Sequence, residues 1–319
     1  MKCDVIISVV ELHYRGTTMG TSNIKGNIIL MLTAFIWGTA FVAQSVGMDY
    51  VGPFTFIASR YIIGGIFLIP CIFILDKVNK DDRKQKSNNK TLITAGCLCG
   101  VALFVASSFQ QIGIQYTTVG KSGFITALYI IIVPMIGLLF KRKVSLRIWV
   151  SAFISLIGLY LLSINESFSI SRGDFLILIC AFCFSIHILV IDKYSNLVDG
   201  VRMSCIQFFV AGLLGIISMI IFEKPQINDI LAAYNPILYA GIMSSGVAYT
   251  FQIIGQKYTS PVLATLIMSL ESVFAALSGW FILGEVLLVK EFIGCVLVFT
   301  AIILAQIPVK KSVCKSYNN

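Results

Sequence analysis

The stretch FQQIGIQYT, residues 109–117, decides the fold because it returns along the chain as FQIIGQKYT at residues 251–259. At a constant offset of 142 residues, six of the nine positions carry the same amino acid. The identical pairs are Phe109/Phe251, Gln110/Gln252, Ile112/Ile254, Gly113/Gly255, Tyr116/Tyr258 and Thr117/Thr259. Several of these shared residues are polar inside apolar surroundings, which biased composition does not explain. We therefore expect both stretches to belong to a longer internal repeat.

Composition indicates an all-α integral membrane protein. Of the 319 residues, 57% are hydrophobic and 12% are charged, and the mean hydropathy is +0.91. Soluble domains carry about 25% charged residues, so most of this surface is expected to face lipid. Lipid offers no partners for backbone polar groups, and the alternation typical of a membrane barrel is absent, so the spans are expected to be helices. The ten predicted transmembrane helices are 27–44, 53–75, 91–114, 119–140, 147–164, 174–191, 202–222, 236–256, 261–283 and 291–307.

The repeat extends beyond the opening stretch. At an offset of 147, GNIILMLTAF at 26–35 matches GDFLILICAF at 173–182 at several positions, and Gly65 falls on Gly212. The offset then drops to 142 because the loop at 76–90 is longer than its counterpart in the second copy. From there the alignment holds to the last predicted helix. The chain is therefore predicted to be two copies of a five-helix unit.

Five helices are an odd number, so the second copy enters the membrane from the opposite side. This arrangement is an inverted-topology repeat, which is typical of secondary transporters that bind substrate near the membrane midplane. The predicted domains are a tail at 1–24, the first repeat at 25–164, the second repeat at 173–308 and a tail at 309–319.

The net charge of +9 follows membrane topology rather than nucleic-acid binding. With the N-terminus inside, 19 of the 24 basic residues fall in the tails and the cytoplasmic loops, and four fall on the opposite side. Under the positive-inside rule this asymmetry places both termini in the cytoplasm. The basic loop at 76–90 is then cytoplasmic and residues 165–172 are external. We predict a multi-pass protein of the plasma (inner) membrane, with the lipid bilayer as a partner and no nucleic acid.

Four stretches carry a resemblance to a known family. They are AFIWGTAFVAQSVG (34–47), FIASRYIIGG (56–65), QYTTVGKSGFITALYIIIVP (115–134) and QKYTSPVLATLIMSLESVFAALSGWFILGE (256–285). Together with their spacing, they closely resemble EamA-type proteins of the drug/metabolite transporter superfamily. The resemblance implies a ten-helix permease, usually an exporter of amino acids or other small metabolites. This family often has a proline after the glutamate, where this chain has Ser272, so we expect a straighter ninth helix than in its relatives.

Polar residues in the predicted helices fall on stripes that repeat between the two copies. Ser245, Tyr249, Gln252 and Gln256 have the spacing of one face of the eighth helix. Such side chains either hydrogen-bond between helices or line a wet cavity. Because stripes occur on symmetry-related helices, we predict a substrate cavity for a small amphipathic solute. The predicted substrate-binding residues are Trp37, Gln44, Ser107, Gln110, His187, Ser245, Tyr249 and Gln252, while Leu30 and Ile253 are expected to face lipid.

Two charged residues lie inside predicted helices. Arg60 is eight residues into the second helix, where it either snorkels to the surface or takes part in gating or an internal ion pair. Glu271 is central in the ninth helix, where its short side chain cannot reach water. It is expected to hydrogen-bond between helices, to couple transport to protons or to bind a substrate amine. The residue at the equivalent position of the first repeat, which we call its repeat mate, is Tyr129. The carboxylate therefore occurs in only one of the two repeats.

These observations predict a secondary transporter that exports a small amphipathic metabolite, such as an amino acid, by alternating access. An importer or exchanger remains the alternative within that class, and a non-transporting scaffold or an intramembrane enzyme is the alternative outside it. An enzyme would need a base near the serine of GKSG (120–123), and His187 is the one histidine in an apolar segment. No catalytic residue, metal site, cofactor or ATPase subunit is predicted.

Overall fold

A computed structural model describes residues 24–78, 88–140, 144–163, 171–283 and 288–307. The described residues form helices joined by turns, with no strand among them. The predicted tails at 1–24 and 309–319, the basic loop at 76–90 and the predicted external segment at 165–172 lie largely outside these ranges.

The described helices confirm the all-α membrane fold. Nine of them are long and apolar enough to cross a membrane, and the helix Leu146–Ser163 takes the place of the predicted fifth span. In chain order, the ten spans are Ile24–Gly47, Pro53–Val78, Asn89–Gly113, Val119–Leu139, Leu146–Ser163, Arg172–Tyr194, Gly200–Phe222, Tyr234–Gln256, Pro261–Leu283 and Val289–Gln306. A turn of 3-10 helix at Ile114–Tyr116 follows the third span, and a short helix at Ile227–Ala232 precedes the eighth.

The packing of the spans follows the repeat. The fifth and tenth spans pack along each other, and so do the second and seventh. The third span packs against the sixth in the way that the eighth packs against the first. Exchanging the two halves leaves this contact pattern unchanged, as a twofold relation between inverted repeats requires.

Glycines of the repeated stretch form two equivalent helix crossings. A Cβ atom on Gly173 would lie 2.6 Å from the carbonyl oxygen of Gly113, and one on Gly26 would lie 3.2 Å from that of Gly255. The first distance is shorter than real Cβ contacts, and a Cβ atom on Gly26 would also lie 2.9 Å from Cβ of Tyr258, so glycine at both positions lets the two backbones meet. The third span therefore crosses the sixth, and the eighth crosses the first, through the same pair of glycines.

Threonines of the same stretch add a hydrogen bond at each crossing. Thr117 donates to a carboxylate oxygen of Asp174 at 2.5 Å, and Thr259 donates to the amide oxygen of Asn27 at 3.3 Å. Asn27 and Asp174 are 147 residues apart, so these two bonds are equivalent under the repeat. The stretch recurs because it builds the same crossing in each half of the molecule.

The fourth and ninth spans are each broken near their middle. The fourth consists of Val119–Thr126 and Tyr129–Leu139, and the ninth of Pro261–Met268 and Leu270–Leu283. The two breaks are 142 residues apart and therefore equivalent under the repeat. The ninth span is interrupted at Ser269, three residues before Ser272, and the expectation that it is straighter than in its relatives stays a prediction.

Two carboxylates connect the ends of the second and seventh spans. Asp76, near the end of the second span, accepts from Nη2 of Arg202 in the first turn of the seventh at 2.9 and 3.2 Å. Glu223 follows the seventh span and accepts from the backbone amides of Phe54 and Thr55, each at 2.8 Å, and from the Thr55 hydroxyl at 2.6 Å. Asp76 and Glu223 are repeat mates. We call these two contacts the Asp76 latch and the Glu223 latch.

Candidate functional site

A small cavity lies between the two halves of the molecule. It measures about 30 Å³, which is room for about two water molecules. Its lining comes from the first, second, third, fourth, sixth, eighth and ninth spans, and the broken fourth and ninth spans both contribute residues close to their breaks. The lining residues are Trp37, Phe41, Gln44, Arg60, Gln110, Thr126, Tyr129, Phe184, Ile188, Ser244, Tyr249, Gln252 and Glu271.

Repeat mates line the cavity in pairs, which places it on the pseudo-twofold axis. Both members of four pairs are present, and the mates are separated by the repeat offsets of 147 or 142 residues. The four pairs are Trp37/Phe184, Phe41/Ile188, Gln110/Gln252 and Tyr129/Glu271. Each half of the chain therefore supplies an aromatic residue, an amide and one polar side chain at a helix break.

Glu271 and its repeat mate meet across the cavity. The Tyr129 hydroxyl donates to Oε1 of Glu271 at 2.8 Å, and the Glu271 side chain is 3% exposed. Both residues lie at the start of the second half of a broken helix. The free amides and the dipole at such an end favour a carboxylate nearby. Glu271 is thus held by a hydrogen bond that joins the fourth span to the ninth.

Arg60 is buried and does not snorkel, because its side chain is 1% exposed. Its Nη1 donates to Oε1 of Gln44 at 2.8 Å, and its Nη2 donates to the hydroxyls of Tyr61 at 2.5 Å and Ser107 at 3.2 Å. Within the described part of the chain, no carboxylate lies within ion-pair distance of the guanidinium. The predicted internal ion pair is therefore not found among the described residues. The Arg60 guanidinium instead donates to neutral acceptors.

The eighth span departs from α-helical geometry beside the cavity. Residues Tyr239–Tyr249 form a π-helix between the α-helices Tyr234–Leu238 and Thr250–Gln256. A π-helix has i→i+5 hydrogen bonds and a wider turn than an α-helix, so its side chains fall on other faces than α-helical spacing predicts. Ser244 and Tyr249 therefore line the cavity, whereas Ser245 turns away and its hydroxyl donates to the carbonyl of Ala240 at 2.9 Å. The predicted stripe assumed a regular α-helix and so selected Ser245 in place of Ser244.

Two more predicted residues lie behind the cavity wall. His187 contacts the outer side of Tyr249, with ring centroids 6.0 Å apart, and its Nε2 lies 3.1 Å from Oε1 of Gln207. Its neighbour Ile188 takes the lining position. Ser107 bonds to Arg60 without lining the cavity itself. Leu30 and Ile253, expected at the lipid surface, are buried between helices, with exposures of 0% and 1%.

The cavity therefore brings together most of the predicted set. The predicted residues that line it are Trp37, Gln44, Arg60, Gln110, Tyr249, Gln252 and Glu271. Lining residues outside the predicted set are Phe41, Thr126, Tyr129, Phe184, Ile188 and Ser244. Tyr129 and Phe184 could have been found as the repeat mates of Glu271 and Trp37. The part of each residue in substrate binding stays a prediction.

The structure offers no support for the serine of GKSG as a nucleophile activated by His187. The Ser122 hydroxyl donates to the backbone carbonyl of Thr118 at 2.9 Å, and the described partner of His187 is Gln207. A nucleophilic serine needs a base within hydrogen-bond reach. These two side chains are engaged elsewhere.

Comparison with known proteins agrees with the architecture. A protein of Archaeoglobus fulgidus described as an uncharacterized transporter is 29% identical over 309 residues, covering 96% of this chain and 93% of its own. The uncharacterized inner membrane transporter YedA of Escherichia coli K12 is 26% identical, with 85% of this chain and 87% of YedA covered. A solved crystal structure matches with a TM-score of 0.72 at 17% identity, over 89% of this chain and 97% of that one, which shows the shared fold.

The EamA-like transporter family matches the chain twice, over residues 24–164 and 171–306. Each matched range contains five of the ten spans. The two matches together cover most of the sequence. The chain therefore belongs to the EamA-like transporter family and is a multi-pass membrane protein.

Proposed function

We propose that this protein is a secondary transporter that exports a small amphipathic metabolite, such as an amino acid, by alternating access. The observation that carries the proposal is the small cavity between the two halves, lined in part by repeat mates, one pair of which lies at the two helix breaks. Binding near the midplane between inverted repeats, next to discontinuous helices, is the arrangement by which many transporters hold their substrate.

The size of the cavity suits a closed state of such a cycle. A volume of about 30 Å³ is far below the ~300 Å³ or more of a typical ligand pocket, so the walls must separate to admit a metabolite. Inverted repeats provide two equivalent ways to separate them, one toward each side of the membrane. The Asp76 and Glu223 latches lie at opposite ends of the paired second and seventh spans, so each holds one end of that pair together.

The lining suits a solute with an apolar body and polar ends. Trp37, Phe41 and Phe184 give apolar walls, and Gln110 and Gln252 give amide groups that can donate and accept. The proposed driving force is an ion or solute gradient, with passive transport as the alternative. Glu271 is the proposed site for a coupled proton or for a substrate amine. The proposed setting is the plasma (inner) membrane with both termini in the cytoplasm, and the solute is expected to cross unchanged.

Reconstituted vesicles test this proposal directly. The purified protein is inserted into liposomes preloaded with a mixture of amino acids, and the loss of each is followed over time. We expect faster efflux of at least one amino acid than from empty liposomes. The double variant Gln110→Ala/Gln252→Ala should slow that efflux, whereas Ile303→Ala, a change at a lipid-facing residue that is 65% exposed, should not. Equal efflux from protein-containing and empty vesicles, with every amino acid, would contradict the proposal.

A further inference from the structure

The guanidinium of Arg60 is a permanent charge in the membrane interior, and its hydrogen-bond partners are all neutral. Its two Nη atoms donate to an amide and two hydroxyls, and its Nε has no hydrogen-bond partner among the described residues. The Tyr61 ring lies 4.5 Å from the guanidinium carbon and gives partial compensation. A buried cation without a counter-charge is strongly unfavourable, and arginine does not shed its proton in a protein. The site therefore has unused capacity to bind an anion.

The position of Arg60 makes this capacity available to a solute. Arg60 lines the central cavity, where it is the one cation among the described lining residues. Its repeat mate is Gln207, which instead bonds to His187. The positive charge is thus supplied to the cavity by the first half of the chain only. Aromatic side chains of Trp37 and Phe184 form other parts of the same wall.

Building on the proposed transport function, we infer that Arg60 binds a carboxylate of the solute while the aromatic side chains contact its apolar part. A guanidinium fits a carboxylate through paired N–H donors. One guanidinium balances one negative charge, whereas a phosphate monoester carries about 1.5 to 2. A monoanionic carboxylate is therefore the preferred chemistry, and a phosphate is the competing source of negative charge.

The wild-type protein itself tests the inference through ligand-induced thermal stabilisation. The detergent-solubilised full chain is heated with 3-phenylpropionate, with its neutral amide 3-phenylpropionamide, or with phenyl phosphate. A ligand that binds the native state raises the unfolding midpoint, and the stabilisation grows with the logarithm of 1 + [L]/Kd. We expect concentration-dependent stabilisation of this form by the carboxylate and little by the amide of the same shape. Equal effects of the two, no effect of either, or stabilisation by phenyl phosphate alone would overturn the inference.

Variants then assign the effect to Arg60. Arg60→Gln removes the charge but keeps hydrogen-bonding groups, and it should raise the apparent dissociation constant of the carboxylate about tenfold or more. Arg60→Lys keeps the charge without the planar pair of donors, so its apparent dissociation constant for the carboxylate should lie between those of the wild type and Arg60→Gln. Lys257→Gln, which removes one charge from an exposed side chain, should bind as the wild type does. Unchanged carboxylate affinity in a folded Arg60→Gln protein would refute the assignment.

This experiment separates the anion site from the transport proposal because thermal stabilisation does not require movement across a membrane. A protein that is stabilised by carboxylates but moves no solute in vesicles would refute transport and leave the Arg60 site standing. Conversely, vesicle efflux that is equally fast for amino acids and their amides would refute the Arg60 site and leave transport standing.

Discussion

At the scale of single residues, each of the two ionisable residues that line the cavity has a neutral residue at the equivalent position of the other repeat. Arg60 corresponds to Gln207, and Glu271 corresponds to Tyr129. The paired residues Gln110 and Gln252 give the two halves the same neutral lining, so charge is added in one copy only. This avoids a second buried cation and a second buried carboxylate, each of which would be costly in lipid. In the proposed transport cycle, the symmetric lining allows equivalent movement of the two halves, and the two unpaired charged residues contact the solute.

Glu271 is the residue at which we expect coupling to protons. Glu271→Gln keeps the shape of the side chain and can still accept from Tyr129, but it can no longer exchange a proton. If the carboxyl carries a proton during the cycle, the variant should lose efflux driven by an imposed pH gradient. We expect a loss of about tenfold or more, because the step that is coupled to the proton is removed. Efflux from vesicles with a set pH difference, at matched protein amounts, measures it.

The control for this prediction is Tyr129→Phe, which removes the hydrogen bond but leaves the carboxyl free to titrate. It should keep pH-driven efflux while lowering stability by about 1 kcal/mol. Full pH-driven efflux by Glu271→Gln would instead show that the carboxylate only joins the fourth and ninth spans.

Sequence reasoning located part of the site because polar side chains are conspicuous in apolar helices. Gln110, Gln252 and Glu271 were found in this way, and all three line the cavity. It did not locate Phe41 or Ile188, since apolar lining residues look like any others in a membrane helix. His187 is predicted to line the cavity because it is polar, but its imidazole forms a hydrogen bond with Gln207 behind the cavity wall. Which polar group faces the cavity and which faces another helix depends on packing, which spacing alone does not contain.

At the scale of elements, the π-helix of the eighth span is held by side chains of the first span. The Thr33 hydroxyl lies 3.0 Å from the carbonyl oxygen of Ile29 in its own helix and 3.3 Å from that of Ala248, and the indole of Trp37 donates to the carbonyl of Ser244 at 3.4 Å. The π-helical hydrogen-bond pattern deviates from the α-helical one, and outside donors can satisfy its carbonyls. The repeat mates of these donors are Cys180 and Phe184, which lack a comparable hydroxyl or indole. The third span, the mate of the eighth, is α-helical, so the two halves differ both in these donors and in the geometry of the helix beside them.

We expect the double variant Thr33→Val/Trp37→Phe to destabilise the protein, because both outside donors are lost. Hydrogen bonds between membrane helices contribute about 0.6 kcal/mol each on average and up to about 1.7, so a loss of about 1–3 kcal/mol is expected. Denaturant unfolding in mixed micelles measures it. Thr300→Val is the matched control, since that hydroxyl bonds only to Val296 of its own helix on an exposed face. Equal losses in the double variant and the control would contradict the role of the first span.

The sequence predicted the elements better than their interruptions. Apolar length was enough to place all ten spans, because a helix must cover the hydrocarbon thickness. The breaks at Ala127–Leu128 and Ser269 have no local proline or glycine signal at the break itself. They occur where the two half-helices of the fourth and ninth spans meet around the cavity, which is a property of the assembled fold. The π-helix escaped prediction for the same reason.

At the scale of the whole molecule, the sequence repeat is enough to predict which helices pair. The side of the membrane on which each end lies is predicted separately, from the distribution of basic residues. We expect a reporter at the C-terminus and one near Asn79 both to report the cytoplasm, because the basic residues concentrate there. Reporter activity in intact cells measures this. A reporter inserted in 165–172 should give the opposite result, and a periplasmic or external signal at the C-terminus would contradict the ten-span inverted topology.

The two latches differ in strength although they are equivalent under the repeat. The Asp76 latch is an ion pair whose side chains are 32% and 42% exposed, and such pairs contribute about 0–1 kcal/mol. The Glu223 latch is a carboxylate at the start of the second span, where it accepts from two backbone amides and a hydroxyl. A cap of this kind contributes about 1–2 kcal/mol. The end near Glu223 is therefore expected to stay closed more of the time.

Weakening one latch should open the cavity at that end only, since each latch stabilises the states in which its own end is closed. A loss of about 1 kcal/mol shifts the balance of open and closed states about fivefold. The reporter is Ser244→Cys in a cysteine-free background, because Ser244 lines the cavity. Glu223→Ala should raise labelling by an impermeant thiol reagent from the side of Gly52, and Asp76→Asn should raise it from the side of Arg202. Labelling that increases equally from both sides in either variant would show that the two ends do not open independently and would contradict alternating access through these latches.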